Sequence, residues 1–196
     1  MSKALVLSYP GCIMFEVMLA SELISKAHLI ELATIDGQAF VGSTGLAFQA
    51  HKSYADVDVL DYECLIVPGG DTFEVIENVV LERILQRANA QNILIGAICA
   101  GPLLLAKAGI LEGRKFTHGF GDHHGEFLAP FWDGADFVDE SVVVDGNVVT
   151  AKPEAHIDFG VMLARLTNAI TDAKADYFRN FYKGHRLPEL APIQQT

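Results

Sequence analysis

The chain has 196 residues, enough for one domain with a substantial core and short for two. About half of it is hydrophobic, which excludes a disordered chain, and 14 Lys and Arg against 25 Asp and Glu leave a net charge of −11. No basic run is present to neutralise phosphates, so nucleic acid is not an expected partner and the acidity reads as solubility.

In chain order, Ala4-Leu5-Val6-Leu7 predicts a strand covered on both faces, because no polar residue alternates with the apolar ones. Val17, Ala20, Leu23 and Ile24 then share one face of a helix. Ile30 to Ile35 predicts a second strand, and Phe40 to Gln49 a pair of short strands turning at Gly42 and Gly45. Cys64-Leu65-Ile66-Val67 is another buried run. Leu81, Ile84, Leu85 and Ala88 recur at helical spacing behind Asn78, a candidate N-cap. Ile93-Leu94-Ile95 predicts a strand, and Leu103 to Ala108 a helix closing at Gly109. Val142 to Thr150, VVVDGNVVT, carries the Asp-Gly-Asn signal of a hairpin. Ala155, Phe159, Met162, Leu166 and Ile170 make a late stripe. A short helix with Tyr177, Phe178, Phe181 and Tyr182 follows over Thr171 to Lys183. Strands alternating with helices predict a doubly wound α/β domain over residues 1–184, with a mostly parallel sheet and a loose Pro-rich tail at 185–196.

The N-terminus MSKALVLSYP lacks a signal-peptide layout, and no stretch approaches the roughly 18 apolar residues of a membrane span. Three cysteines, Cys12, Cys64 and Cys99, are too few and too scattered for a disulfide framework or a CxxC zinc site. A cytoplasmic, reduced protein without membrane attachment is expected.

Ligands of such sheets bind beyond the carboxyl ends of the strands. Three loops qualify: Tyr9 to Glu16, Pro68 to Asp71, and Cys99-Ala100-Gly101. Cys99 joins an apolar run to a helical one, with Ala97 two before it and Gly101 two after. Small residues are needed there for a sharp strand-to-helix turn, the logic of a nucleophile elbow. The turn would lift the sulfur near a helix N-terminus, which favours a thiolate. A buried packing cysteine is the alternative, and the flanking residues favour the nucleophile. Gly69 and Gly70, with Ala100, would offer backbone amides to an oxyanion.

Glu16 opens the first helix. By position alone it reads as a complement to the helix dipole; a carboxyl that bonds the sulfur or moves a proton is the alternative. His118 would supply a Cys–His pair, although seven histidines are present and spacing does not select it. His156 follows Lys152-Pro153-Glu154-Ala155 and faces either the pocket or water, with Glu154 beside it. Cys12 is a resolving thiol if it lies near Cys99 and otherwise a packed one, which is the preferred reading; Cys64 reads as core. Asp122, His123, His124 and Glu126 crowd potential ligands on one loop. Adjacent histidines rarely hold an ion without a third placed ligand, so a solvated loop is expected and no metal or cofactor.

Phe15-Glu16-Val17, Val67-Pro68-Gly69-Gly70, Gly96-Ala97-Ile98-Cys99-Ala100-Gly101-Pro102, Phe116-Thr117-His118 and, more weakly, Ile157-Asp158-Phe159 occur in the order of the ThiJ/PfpI superfamily. The chain resembles this class I glutamine amidotransferase-like group from about Lys3 to Ile170. The resemblance implies a flavodoxin-like three-layer sandwich with the cysteine at a strained elbow, commonly in a homodimer. It implies Cys99 as nucleophile or redox thiol, Glu16 as the carboxyl bonded to its sulfur, and His118 as the nearby histidine, with Gly69, Gly70 and Ala100 as amide donors. Members resembling the intracellular proteases carry His after the cysteine; Ala100 stands there instead, which disfavours proteolysis. Isonitrile hydratases of similar layout typically show Asp at the position of Glu16 and Thr at that of Ala100. Glyoxalase-like members match better, although Lys152 to His156 replaces their Gly-Pro-Gly type loop. The expected function is therefore cofactor-free, cysteine-dependent chemistry of glyoxalase or deglycase type on an electrophilic small molecule such as a 2-oxoaldehyde. Redox sensing through Cys99 and an amidase- or hydratase-like hydrolase are the alternatives.

Overall fold

A computed structural model of the chain describes residues 2–121 and 125–185. Asp122, His123 and His124, on which the loop-or-metal question turns, lie outside the described residues, as does the expected tail beyond His185. The strands are β1 (Lys3–Leu7), β2 (Leu29–Thr34), β3 (Phe40–Val41), β4 (Ala47–Phe48), β5 (Lys52–Ser53), β6 (Tyr62–Val67), β7 (Leu94–Ile98), β8 (Lys115–Phe116), β9 (Asp136–Phe137), β10 (Val142–Asp145) and β11 (Val148–Ala151). The α-helices are α1 (Phe15–Ile24), α2 (Val79–Ala90), α3 (Pro102–Lys107), α4 (Gly125–Leu128), α5 (His156–Leu166) and α6 (Asp172–Tyr182).

Seven strands form one sheet in the order β10-β11-β7-β6-β1-β2-β5, parallel except for the β10–β11 hairpin. The fold is a mixed α/β sandwich, as expected. The central strands are buried on both faces: Leu5, Leu7, Leu65, Ile66 and Ile95 are all without exposed surface. Side chains of this kind each stabilise the fold by about 1.5–3 kcal/mol. Helices cover both faces: α1 packs on α5 and α5 on α6, while α2 packs on α3. The predicted face of α1 (Val17, Ala20, Leu23, Ile24) and that of α2 (Leu81, Ile84, Leu85, Ala88) are both buried. The Asn78 side chain caps α2 by accepting hydrogen bonds from the Val80 and Leu81 amides at 3.0 and 2.9 Å. No helix among the described residues is long and apolar enough to cross a membrane.

The late stripe holds at Ala155, Phe159 and Ile170, which are buried, and at Met162, which packs against the core, but needs correction at Leu166. On α5 the buried residues are Phe159, Gly160, Val161, Leu163 and Ala164, Leu166 is 40% exposed, and Ile170 lies past the helix end. The physical reason is that α5 packs on the sheet, on α1 and on α6, so its covered surface is wider than a single stripe.

Candidate active site

β1, β6 and β7 are neighbours and run parallel, so their carboxyl ends deliver three loops to one edge of the sheet. At the end of β7 the chain turns through Cys99, whose φ is +63°. The other two non-glycine residues with positive φ among those described are asparagines, which tolerate the left-handed region; cysteine does not. The strained turn is braced on both sides. The Cys99 N–H donates to the Ala151 carbonyl of β11 at 2.9 Å, and the Cys99 carbonyl accepts from Gly119 N–H at 2.8 Å. A side chain on Gly101 would meet the Val67 carbonyl oxygen at 2.8 Å, so the small residue expected there is required. The elbow predicted from the sequence is present.

Glu16, in the first turn of α1, is 1% exposed. Its Oε2 accepts from the Gly69 amide at 3.0 Å, and its carboxyl is hydrogen-bonded to the Cys99 thiol. Gly69 lies so close to both that an added Cβ would sit 2.5 Å from Cys99 Cβ, 2.7 Å from Glu16 Oε2 and 2.8 Å from Cys99 Sγ. Only glycine fits there. The Ala100 and Gly70 amides point at the sulfur. The expectation for Gly69 is thereby corrected. Its N–H is engaged by Glu16 and is not free for an oxyanion, which leaves Gly70 and Ala100 as donors at the sulfur.

Electrostatics bring a second correction. Burial, then the negative charge of Glu16 and the hydrogen bond to it, push the Cys99 thiol up to about 12, while the Ala100 and Gly70 amides pull the other way. The helix behind the elbow is six residues long, and its dipole does not offset a carboxylate in contact with the sulfur. The resting group is a thiol and not the thiolate expected from the sequence. Burial also raises Glu16; its bonds from Cys99 and Gly69 and the charge of His156 oppose that rise.

The other predicted residues separate. Among the described residues His118 is not hydrogen-bonded to Cys99; its Nδ1 accepts from the Phe120 amide at 3.1 Å, and its ring stacks on Trp132 at 5.0 Å and lies 4.8 Å from Phe137. Burial and then the nearby Lys152 hold it below the usual imidazole range. His118 and the exposed Glu154 border a cavity of about 400 Å³ that also touches Gly119, Phe137, Lys152 and Pro153. Gly119 backs onto the Cα of Cys99 from the side of this cavity. Cys12 is fully buried, paired with Gly70 across a single β-bridge, and burial pushes its thiol up to about 11. It is the packed thiol preferred from the sequence, and lines neither an open surface nor the pocket. Cys64 is core, also as expected. His156 touches the ring of Phe15, the neighbour of Glu16, edge-on at 5.7 Å.

One contributor was missed in the sequence. The buried Tyr9 hydroxyl donates to the Pro68 and Gly69 carbonyls at 2.9 and 3.0 Å. By holding those carbonyls it turns the following amides toward Glu16 and the sulfur. Its signal was a lone aromatic hydroxyl just past a fully buried strand.

The DJ-1/PfpI family model matches residues 2–166. The chain belongs to this family. Among similar proteins, an uncharacterized protein of Methanocaldococcus jannaschii is 36% identical over 123 residues, 62% of this chain and 58% of that protein. Deglycase PfpI of Pyrococcus furiosus is 28% identical over 128 residues, 65% of this chain and 75% of its own. Among solved structures, a DJ-1 superfamily protein of Agrobacterium tumefaciens superposes with a TM-score of 0.83 at 25% identity, covering 95% of this chain and 100% of that one. Drosophila melanogaster DJ-1beta gives 0.79 at 26% identity over the same shares. The flavodoxin-like sandwich is thus the DJ-1/PfpI architecture, with its mostly parallel sheet.

Proposed function

We propose that this DJ-1/PfpI protein is a cysteine-dependent, cofactor-free enzyme of deglycase or glyoxalase type that acts on 2-oxoaldehydes. The observation that carries the reading is the Cys99–Glu16 pair: a thiol on a strained elbow, hydrogen-bonded to a buried carboxyl, with two amides at the sulfur. Relatives named deglycases support it.

A carboxylate raised by burial is a stronger base than an exposed one. As Cys99 Sγ bonds to the aldehyde carbon, the thiol proton passes to Glu16 and the carbonyl electron pair moves to oxygen. Return of that proton to the oxygen gives a hemithioacetal and restores the carboxylate. Glu16 then removes the hydrogen on the sulfur-bearing carbon, and the resulting enediol takes a proton at the adjacent carbon. The product is a thioester of a 2-hydroxy acid. Water cleaves it, releasing the acid and the thiol, so no oxidant or reductant is consumed. Methylglyoxal should be converted to a 2-hydroxy acid, and both Cys99→Ala and Glu16→Gln should lose at least about 100-fold in kcat, as expected for removing a nucleophile or its base. Full activity in Cys99→Ala overturns the mechanism.

A redox role is the second reading, favoured by one observation: Cys99 alone of the cysteines is part-exposed, while Cys12 and Cys64 are fully buried. Mild peroxide followed by mass spectrometry should then oxidise Cys99 selectively; equal oxidation of all three cysteines excludes it.

A further inference from the structure

We propose that the cavity walled by His118, Phe120, Trp132 and Phe137 selects the substrate, and that it takes a flat aromatic substituent: the preferred substrate is an uncharged aryl 2-oxoaldehyde, of which phenylglyoxal is the simplest. The inference deepens the enzymatic reading of Cys99 and Glu16 and rests on it.

The elbow leaves one side for a substituent. On its inner side the sulfur meets Glu16 and Gly69, both buried. On the other side stands Gly119, which is exposed. A Cβ added to Gly119 would lie 3.0 Å from Cys99 Cα and 2.6 Å from Pro153 Cδ. Backbone alone therefore separates the elbow from the cavity of about 400 Å³ that Gly119 and Pro153 help to line. Glu16 acts on the two carbons next to the sulfur, and the group those carbons carry extends toward this cavity.

A second cavity of about 300 Å³ adjoins the first, bounded by the same His118, Phe120 and Phe137 and also by Trp132. The His118 ring lies nearly parallel to Trp132, at 14°, while Phe120 meets His118 edge-on with centroids 5.5 Å apart. Phe137 is 47% exposed, so part of this wall is open to a ligand. Rings stack or meet edge-on favourably at centroid distances of about 4.5–7 Å, and an aryl ring entering here extends contacts that the wall already makes. A methyl group would leave most of the space unfilled, whereas small-molecule sites cover most of their ligand's surface.

Charge narrows the choice further. Among the residues bordering the first cavity, Lys152 is the one Lys or Arg, and it is paired with Asp139. A second acidic side chain, Glu154, lies exposed on the same rim. A phosphate or carboxylate tail would have to displace Asp139 and approach Glu154, a cost that a neutral ring does not meet.

Two measurements test the inference. In steady-state kinetics of the wild-type protein, kcat/KM for phenylglyoxal should exceed that for methylglyoxal by at least about tenfold, each ring contact contributing about 2–10-fold. Trp132→Leu and Phe137→Leu should each shrink that preference by about 2–10-fold, chiefly through KM for phenylglyoxal. Phe137 is half-exposed, so its variant serves even where Trp132→Leu does not fold. Trp132 is also the single tryptophan of the chain, and its fluorescence reports occupancy without turnover. Styrene glycol, an uncharged aryl diol, should change that fluorescence saturably, and propylene glycol should not. Equal or lower kcat/KM for phenylglyoxal overturns the inference and leaves the reaction standing. If neither aldehyde is turned over, the reaction falls and the fluorescence decides alone: a saturable response to styrene glycol keeps the aromatic cavity, and its absence removes it.

Discussion

Cys99 gives up local comfort for its position. A non-glycine residue at φ +63° carries strain of about 1 kcal/mol or more, and it persists because both backbone groups of Cys99 are bonded to neighbouring segments. Glycine relieves that strain and alanine does not. Cys99→Gly should therefore be more stable than Cys99→Ala by about 1 kcal/mol in urea denaturation, although both lack the nucleophile. Equal midpoints would mean that the elbow is relaxed in the folded chain. The same scale explains why the thiolate expectation failed. Spacing places Cys99 near a helix N-terminus, but whether a carboxylate also touches the sulfur depends on how Glu16 folds back from α1, which no local pattern encodes.

Between elements, ion pairs do what the apolar strands do not. Lys3 of β1 and Lys52 of β5 both bridge to Glu31 of β2, at 2.9 and 2.8 Å, and the Tyr62 hydroxyl of β6 donates to the same carboxylate at 2.5 Å. Burial alone would raise Glu31. The bonds from Lys52, Tyr62 and Lys3 outweigh it and hold the carboxyl at about 2. A carboxyl lowered in the folded state adds stability above its unfolded value near 4.5, and that stability drains away as pH falls from there toward 2. Glu31→Gln should thus lose about 1–2 kcal/mol at pH 7, after discounting for solvent screening, and should flatten the loss of stability below pH 4.5. Thermal unfolding across pH 2–7 would check it; parallel curves for the two proteins would remove Glu31 from acid unfolding. Elements of this kind also mark what could be read in the sequence. Runs such as Leu65-Ile66-Val67 and the DGN hairpin announce themselves, because burial on both faces and a tight turn each demand particular residues. The two-residue strands β5, β8 and β9 leave no periodicity to read, and their pairing is decided by the elements that arrive around them. The site divides the same way: Cys99 stood out at its turn, Glu16 was raised only by the family resemblance, and the bonds of the Tyr9 hydroxyl to Pro68 and Gly69 exist only through contacts between distant segments.

For the molecule as a whole, the doubly wound order puts the most important loops near the middle of the sheet, where three parallel strands share an edge. Its acidity is spread along the chain and leaves the elbow to be governed by near neighbours, not by net charge. The bracing of Cys99 by Ala151 and Gly119 carries a further consequence for the order of events during synthesis. β11 is the neighbour of β7 in the sheet, yet it is made fifty residues or so later, and both partners that hold the turn follow the cysteine in the chain. A ribosome that has released β7 but not β11 presents a loose thiol with nothing to hold its backbone left-handed. The nascent chain thus has a built-in delay: Cys99 becomes organised only after the last strand has docked, with the core helix α5 still to follow.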